Sequence, residues 1–250
     1  MTISSQQVIG ELVAKDYRTA TVFKERNIDF CCNGDRTIQE ACDLKKIDSE
    51  DVIKAINKML NESDMSTDYI AKLSPEDLAD YIIEKHHAYV EKRLPEIKTY
   101  LKKSATVHGE HNPELIQIRD LFEASAGELA KHMKKEEMIL FPFIKKMAKA
   151  KASGEPLDVP HFGTAENPIR MMKDEHANEG ERFREIAELS NNYTPPLHAC
   201  NTYRVSYAML REFEEDLHRH IHLENNILFP KALEMEKELL GHSQKDHIDA

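Results

Sequence analysis

The 250-residue sequence has no tryptophan, only eight glycines and only four cysteines, and 7% of its residues are aromatic. Four cysteines, two of them adjacent (Cys31 and Cys32), do not make a disulfide framework, so a reducing, cytoplasmic setting is expected. The longest uninterrupted apolar run covers about seven residues, Met138 to Ile144, and contains Pro142. That is far short of the ~20 residues a membrane-spanning helix requires. The opening MTISSQQVIGELVAKDY lacks a basic start followed by an apolar run, and no secretory signal is expected. Positive charge is also scarce: 34 Lys and Arg against 45 Asp and Glu leave a net charge of −11. An acidic surface repels phosphate backbones, so nucleic acid is not an expected partner. Low glycine, little strand-type alternation and abundant Ala, Leu, Glu and Lys leave an all-α fold as the expected class.

What the chain has in quantity is histidine, thirteen residues, together with clear helix punctuation. Residues 1 to about 60 read as short helices. Thr37-Ile38-Gln39-Glu40 is a capping box, and Asp48 offers another helix start. Between a helical stretch ending near Arg26 and the cap at Thr37 lies Asp29-Phe30-Cys31-Cys32-Asn33-Gly34, an exposed loop closed by an Asn-Gly turn signal. Asn61 to Thr67 is polar and reads as a linker. The expected division is a small helical N-terminal domain with the Cys-Cys motif over 1–65, a four-helix bundle over 66–242, and a tail over 243–250.

Four long helices are expected from their start signals. Ser74-Pro75, Asn112-Pro113, Asn167-Pro168 and Thr194-Pro195-Pro196 each precede a periodic stretch, and the last ends near Leu240-Gly241. Residues 151–166 form a Gly- and Pro-containing loop. The first apolar seam runs Ile83, His87, Val90, Leu94, Ile97, Leu101, and the second Ile118, Leu121, Ser125, Leu129, His132, Glu136, Ile139, Phe143. The third runs Ile169, Met172, His176, Glu179, Phe183, Ile186, and the fourth Tyr203, Tyr207, Leu210, Phe213, Leu217, His220, Glu224, Ile227. All four alternate steps of three and four, as bundle seams do. Each seam holds one histidine, and two add a glutamate one turn later.

Two segments repeat. HMKKEEMILFP (132–142) and HIHLENNILFP (220–230) agree at six of eleven positions, and a seam histidine precedes them by 45 and 44 residues respectively. Each half of the repeat supplies His … His-x-x-x-Glu. Residues four apart share a helix face, separated by about 6 Å along the axis. Burying an unpaired glutamate costs several kcal/mol, and this pattern buries two. A pair of divalent metal ions removes the difficulty, and mixed His/Glu ligation with open positions suits iron better than a closed zinc site. One seam histidine is more often a hydrogen-bonded core residue; four of them, duplicated with two glutamates, point to metal. Manganese at one position stays open. His87 rather than His86 fits the seam, while His218 and His222 flank His220 on other faces and are expected to be exposed. Pro142 and Pro230 read either as a helix end or kink, or as a device shaping access to the metal region. Locally, Cys31 and Cys32 read as ordinary loop cysteines, and Cys42 and Cys200 as buried or incidental thiols.

At these residues the sequence resembles the haemerythrin-like di-iron proteins, and more closely the iron–sulfur cluster repair di-iron family (Repair of Iron Centres). The resemblance rests on DFCCNG together with the two HxxxE…LFP segments, on His87 seven residues before Leu94-Pro95, and on His176 after MMKDE. It implies a non-haem di-iron cofactor with an oxo or hydroxo bridge. His87, His132, His176 and His220 would be terminal ligands, and Glu136 and Glu224 bridging carboxylates at the reacting centre. It further implies a role in restoring iron–sulfur clusters after nitrosative or oxidative stress. Two chemistries are implied, donation of weakly held iron and binding with reduction of nitric oxide, the second of which would make the chain a nitric oxide reductase. Damaged iron–sulfur proteins and nitric oxide are the implied partners, with a homodimer compatible, and Cys31 and Cys32 take a redox or transfer role. The competing readings are a reversible oxygen or nitric oxide carrier or sensor and an iron-storage or interaction module. Compared with oxygen carriers, the ligand set is one histidine short.

Overall fold

The computed structural model describes residues 3–60, 70 and 72–245. The expected linker at 61–67 lies outside the described residues, and of the expected tail only the backbone to 245 falls within them. Among the described residues the fold is helical, with one isolated antiparallel bridge between Val8 and Thr37. The chain forms two compact units, one of residues 1–79, 144–161 and 221–250, the other of residues 80–143 and 162–220.

The first unit contains four short helices: α1 (Ile9–Lys15), α2 (Thr19–Lys24), α3 (Ile38–Lys45) and α4 (Ser49–Leu60). Their boundaries reflect local chemistry. The Thr37 hydroxyl accepts the Glu40 N–H at 3.2 Å while the Glu40 carboxylate accepts the Thr37 N–H at 2.8 Å, the reciprocal bonding of a capping box. That bonding also lowers the Glu40 pKa. Asp48 caps α4 through the Glu50 N–H at 2.9 Å. After α2, Asn27 adopts φ 53°, a left-handed conformation that Asn tolerates better than most side chains, and turns the chain toward the cysteine loop. Ile9, Phe23, Ile38, Cys42 and Ile56 fill the interior.

The second unit is built from stretches of four long helices. The first bundle helix comprises Pro75–Ile82, a π-helical turn Ile83–His87, and Ala88–His108. The second comprises Glu114–Lys135, a π-helical turn Glu136–Leu140, and Phe141–Ser153. The third is Glu166–Leu189, and the fourth comprises Asn201–Leu223, a π-helical turn Glu224–Leu228, and Phe229–Lys245. Phe122, Phe183 and Phe213, from the second, third and fourth helices, form a three-ring cluster with centroids 5.4–6.3 Å apart. Burying each ring is worth about 1.5–3 kcal/mol.

The helix ends differ from the sequence expectation in four places. The second helix runs through Pro142 to Ser153, so the connecting loop is shorter than 151–166. The fourth begins at Asn201 and passes Gly241, and the third begins one residue before Asn167. The prolines neither end nor merely kink their helices. Proline lacks an N–H and crowds the carbonyl four residues back. Here the preceding turn widens by one residue: the Phe141 N–H reaches back to the Glu136 carbonyl and the Phe229 N–H to the Glu224 carbonyl. That extra residue rotates the remainder of each helix about its axis. Ile139, expected in the seam, is 37% exposed, and Leu140 is buried instead.

Candidate metal centre

Each bundle helix contributes its seam histidine, and all four are buried: His87 at the end of the first π-helical turn, His132, His176 and His220. Glu136 and Glu224 each open a π-helical turn one helical turn beyond His132 and His220. The structure brings all six side chains together in two overlapping sets. His87, Glu136, His220 and Glu224 form one, and His132, Glu136, His176 and Glu224 the other, with the ligand atoms of each set within 4.8 Å of one another. The pairing reflects the repeat. Exchanging the two halves carries His87 onto His176, His132 onto His220 and Glu136 onto Glu224, so it carries one set onto the other. The two glutamates belong to both.

The electrostatics of these atoms decide what can sit among them. The Nδ1 of His87 lies 3.0 Å from Glu137 Oε1, and that of His132 lies 2.9 Å from Glu175 Oε2. A carboxylate only accepts, so both rings carry a proton on Nδ1, and in its neutral form each presents the Nε2 lone pair inward. Those Nε2 atoms lie 3.3 and 3.4 Å from Glu136 Oε2. Glu136 is fully buried (0% exposed), and neither of its oxygens receives a hydrogen bond. Acceptor therefore faces acceptor in a desolvated space, an arrangement that costs several kcal/mol unless a cation lies among the lone pairs. The Nε2 atoms of His132 and His176 face each other at 3.0 Å, where one proton or one cation is shared. Nitrogen and carboxylate oxygen donors, with no thiolate among them, match a non-haem iron or manganese ion. The residues present fit such a pair of ions.

Glu137 and Glu175 are supporting residues that periodicity and repetition do not single out. Lys134 lies 2.6 Å from Glu137, and Lys135 is ion-paired with Glu175. Burial pushes the Glu137 pKa up, but Lys134 and His87 outweigh it, and the net shift is downward. The hydrogen bond from His132, reinforced by Lys135 against burial, brings Glu175 down to about 2. Both therefore stay ionised and hold their imidazoles in one tautomer. Their only sequence signal is a place beside ligands, in KKEE and MKDEH. His86 lies off the seam, yet it is buried, its Nδ1 lies 3.0 Å from Asp216 Oδ1, and its ring stacks on His220 at 5.5 Å. Glu179, a seam residue, is a buried carboxylate held by Ser125 at 2.6 Å and by Arg182; burial dominates and raises its pKa. His222, expected outward, is buried, packed 5.8 Å from the Tyr17 ring and 6.0 Å from the Phe30 ring, while His218 is half-buried.

Two family models match this chain. One, described as Hemerythrin HHE cation binding domain, spans residues 78–232, and the other, ScdA_N, Domain of Unknown function (DUF542), spans residues 5–60. The iron-sulfur cluster repair protein ScdA of Staphylococcus haemolyticus (strain JCSC1435) is 31% identical over 229 residues, covering 92% of this chain and 99% of that protein. The probable iron-sulfur cluster repair protein of Haemophilus influenzae is 33% identical over 230 residues, covering 92% and 97%. The iron-sulfur cluster repair protein YtfE of Pectobacterium atrosepticum is 34% identical over 227 residues, covering 91% and 96%. The chain belongs to the haemerythrin-like iron–sulfur cluster repair family.

In this family member the Cys-Cys motif is not the exposed loop that its sequence suggests. Cys31 is buried, 4% exposed, and Cys32 is half-buried, with the two Sγ atoms 3.8 Å apart. Asp29 Oδ1 accepts the N–H groups of Cys31 and Cys32 at 3.1 and 2.9 Å and the Cys31 thiol at 3.3 Å, folding the loop around a carboxylate. Its other oxygen accepts the Asn33 amide at 2.7 Å. The bond to Cys32 and burial push the Cys31 thiol well above its usual range, so Cys31 holds its proton. Cys42 is buried and Cys200 exposed, its Sγ 3.1 Å from His108 Nε2. Among the described residues no helix is long and apolar enough to cross a membrane.

Proposed function

We propose that this chain restores damaged iron–sulfur clusters from a centre of two non-haem iron ions. His87 and His220 would hold one ion and His132 and His176 the other, with Glu136 and Glu224 bridging. One observation carries the reading: two buried His₂Glu₂ sets share both glutamates and are exchanged by the repeat. The names of the relatives supply the cluster-repair role. Bound iron would supply electrons and an exchangeable cation. The protein's part is to hold His87 and His132 in their Nε2-ligating tautomer through Glu137 and Glu175, and to keep two carboxylates dry. Four protein donors per ion leave room for a small exogenous ligand such as nitric oxide, and the absence of thiolate ligands keeps iron exchangeable when reduced. A carrier needs only the bundle; the N-terminal segment with its dithiol loop favours repair. We further propose the division into an N-terminal domain over 1–65 and a di-iron bundle over 66–242.

The test is transfer. Chain loaded anaerobically with ferrous iron is mixed with a ferredoxin whose cluster has been damaged by peroxide or nitric oxide. Recovery of the cluster absorbance, with loss of iron from the chain, is expected. Loaded chain that restores no more cluster than an equal concentration of free ferrous iron held by a weak chelator would refute the repair role.

A further inference from the structure

The two copies of the repeat diverge immediately after their glutamates. The first reads Glu137-Met138, the second Asn225-Asn226. In the first copy Glu137 supports His87, and Met138 is 74% exposed. In the second copy the pair turns to the cysteine loop. Asn225 Nδ2 donates to the Cys31 carbonyl at 3.3 Å, and Asn226 Nδ2 lies 3.3 Å from the Phe30 carbonyl and 3.4 Å from that of Cys31. Asn226 Nδ2 also meets His222 Nδ1 at 3.0 Å, which fixes the amide's orientation. Two glycines make room for this side chain. A Cβ on Gly10 would lie 2.5 Å from Asn226 Oδ1 and one on Gly34 3.0 Å, and the Gly10 N–H donates to the Gly34 carbonyl at 2.6 Å. The loop is thus gripped by its amides at Asp29 and by its carbonyls at Asn225 and Asn226.

Both asparagines lie inside the π-helical turn that Glu224 opens. We propose that Asn225 and Asn226 are positioning residues that couple cation loading at Glu224 to the reactivity of Cys32. The inference rests on the di-metal reading above. Cations that draw in the Glu224 carboxylate fix the phase of the turn, and with it the two amides that hold the Phe30 and Cys31 carbonyls. Without cations the buried Glu136 and Glu224 carboxylates repel one another, the turn fluctuates, and the grip on the loop loosens. Cys32 then gains access to solvent. The coupling runs both ways in direction: if bound iron shields Cys32, a group on Cys32 that keeps the loop loosened must weaken iron binding.

The experiment uses the full chain under anaerobic conditions, either stripped of metal or loaded with ferrous iron, with iron per chain counted by elemental analysis. Alkylation of Cys32 by iodoacetamide is followed by peptide mass spectrometry, which separates it from Cys42 and Cys200. The loaded wild type is expected to react at least about fivefold more slowly than the stripped chain, the lower end of typical couplings. Asn226→Ala is expected to bring the two rates together at wild-type iron content, and Met138→Ala, the matching change in the first copy, to leave the ratio intact. Full iron content with equal wild-type rates, or an Asn226→Ala chain that keeps the wild-type ratio, overturns the coupling alone. Failure of the wild type to take up iron overturns the di-metal reading and the coupling with it. Should Asn226→Ala not fold, the converse measurement decides: chain carbamidomethylated at Cys32 must bind iron more weakly than the unmodified chain, and unchanged affinity overturns the proposal.

Discussion

Glu136→Gln should reverse the order of stability between the stripped and the loaded protein. In the wild type this carboxylate is fully buried, receives no hydrogen bond, and faces two imidazole nitrogens at 3.3 and 3.4 Å. Without metal it is an uncompensated buried acid. Exchanging a buried ion pair for uncharged residues of similar volume stabilises proteins by up to about 1–4 kcal/mol, and removing this unpaired buried charge is expected to gain a comparable amount. For a chain of this size each kcal/mol moves Tm by about 2–4 °C, so the stripped variant should melt about 2–16 °C above the stripped wild type. Loading acts in the opposite direction. At free iron about 1,000-fold above Kd the wild type gains about 4 kcal/mol, or about 8–16 °C, for each ion bound, and the variant, lacking a shared ligand, gains little of it. Differential scanning calorimetry of both chains, stripped and anaerobically loaded, reads all four midpoints. A stripped variant that melts below the stripped wild type, or one that gains the full increment on loading, would refute the reasoning that this space is built for cations.

Three further outcomes are expected from the same geometry. Glu175→Ala removes the acceptor that holds His132 in its ligating tautomer, and a chelator competition should show iron affinity lower by about 10–100-fold with the helical circular dichroism unchanged. Phe213→Ala empties the centre of the three-ring cluster and should cost about 3–5 kcal/mol in chemical denaturation, lowering stripped and loaded chains alike. Replacing both Cys31 and Cys32 by Ser should leave iron per chain unchanged yet lower the rate of cluster recovery, and an unchanged rate would remove the dithiol from the function.

The bundle and its six candidate ligands are legible because periodicity and repetition are properties of the sequence itself. A seam that alternates steps of three and four can only be one face of a helix, and a buried Glu on it demands an explanation. The places where the pattern fails have physical causes. A π-helical turn adds a residue without leaving any mark in a three-four count, so the count puts Ile139 in the seam where Leu140 sits. Proline signals a disturbance at 142 and 230, but whether a helix stops, bends or widens depends on the neighbours that can take up the displaced carbonyls. The burial of His222 and Cys31 is invisible locally because a distant segment supplies it: Asn225, Asn226 and the Cys31 loop are about 190 residues apart in sequence and adjacent in space. Glu137 and Glu175 are visible as charges, and charges on helices are usually solvated; only the distance to an imidazole Nδ1 separates them from their neighbours.

Two glutamates shared by two histidine pairs are proposed to hold two ions. Mössbauer spectroscopy of the chain loaded anaerobically with ⁵⁷Fe and then oxidised, with iron counted per chain, tests this. Two irons per chain and a diamagnetic ground state from an exchange-coupled ferric pair, lost in Glu136→Gln, are expected. One iron per chain, or two that behave as isolated paramagnetic ions, would contradict it.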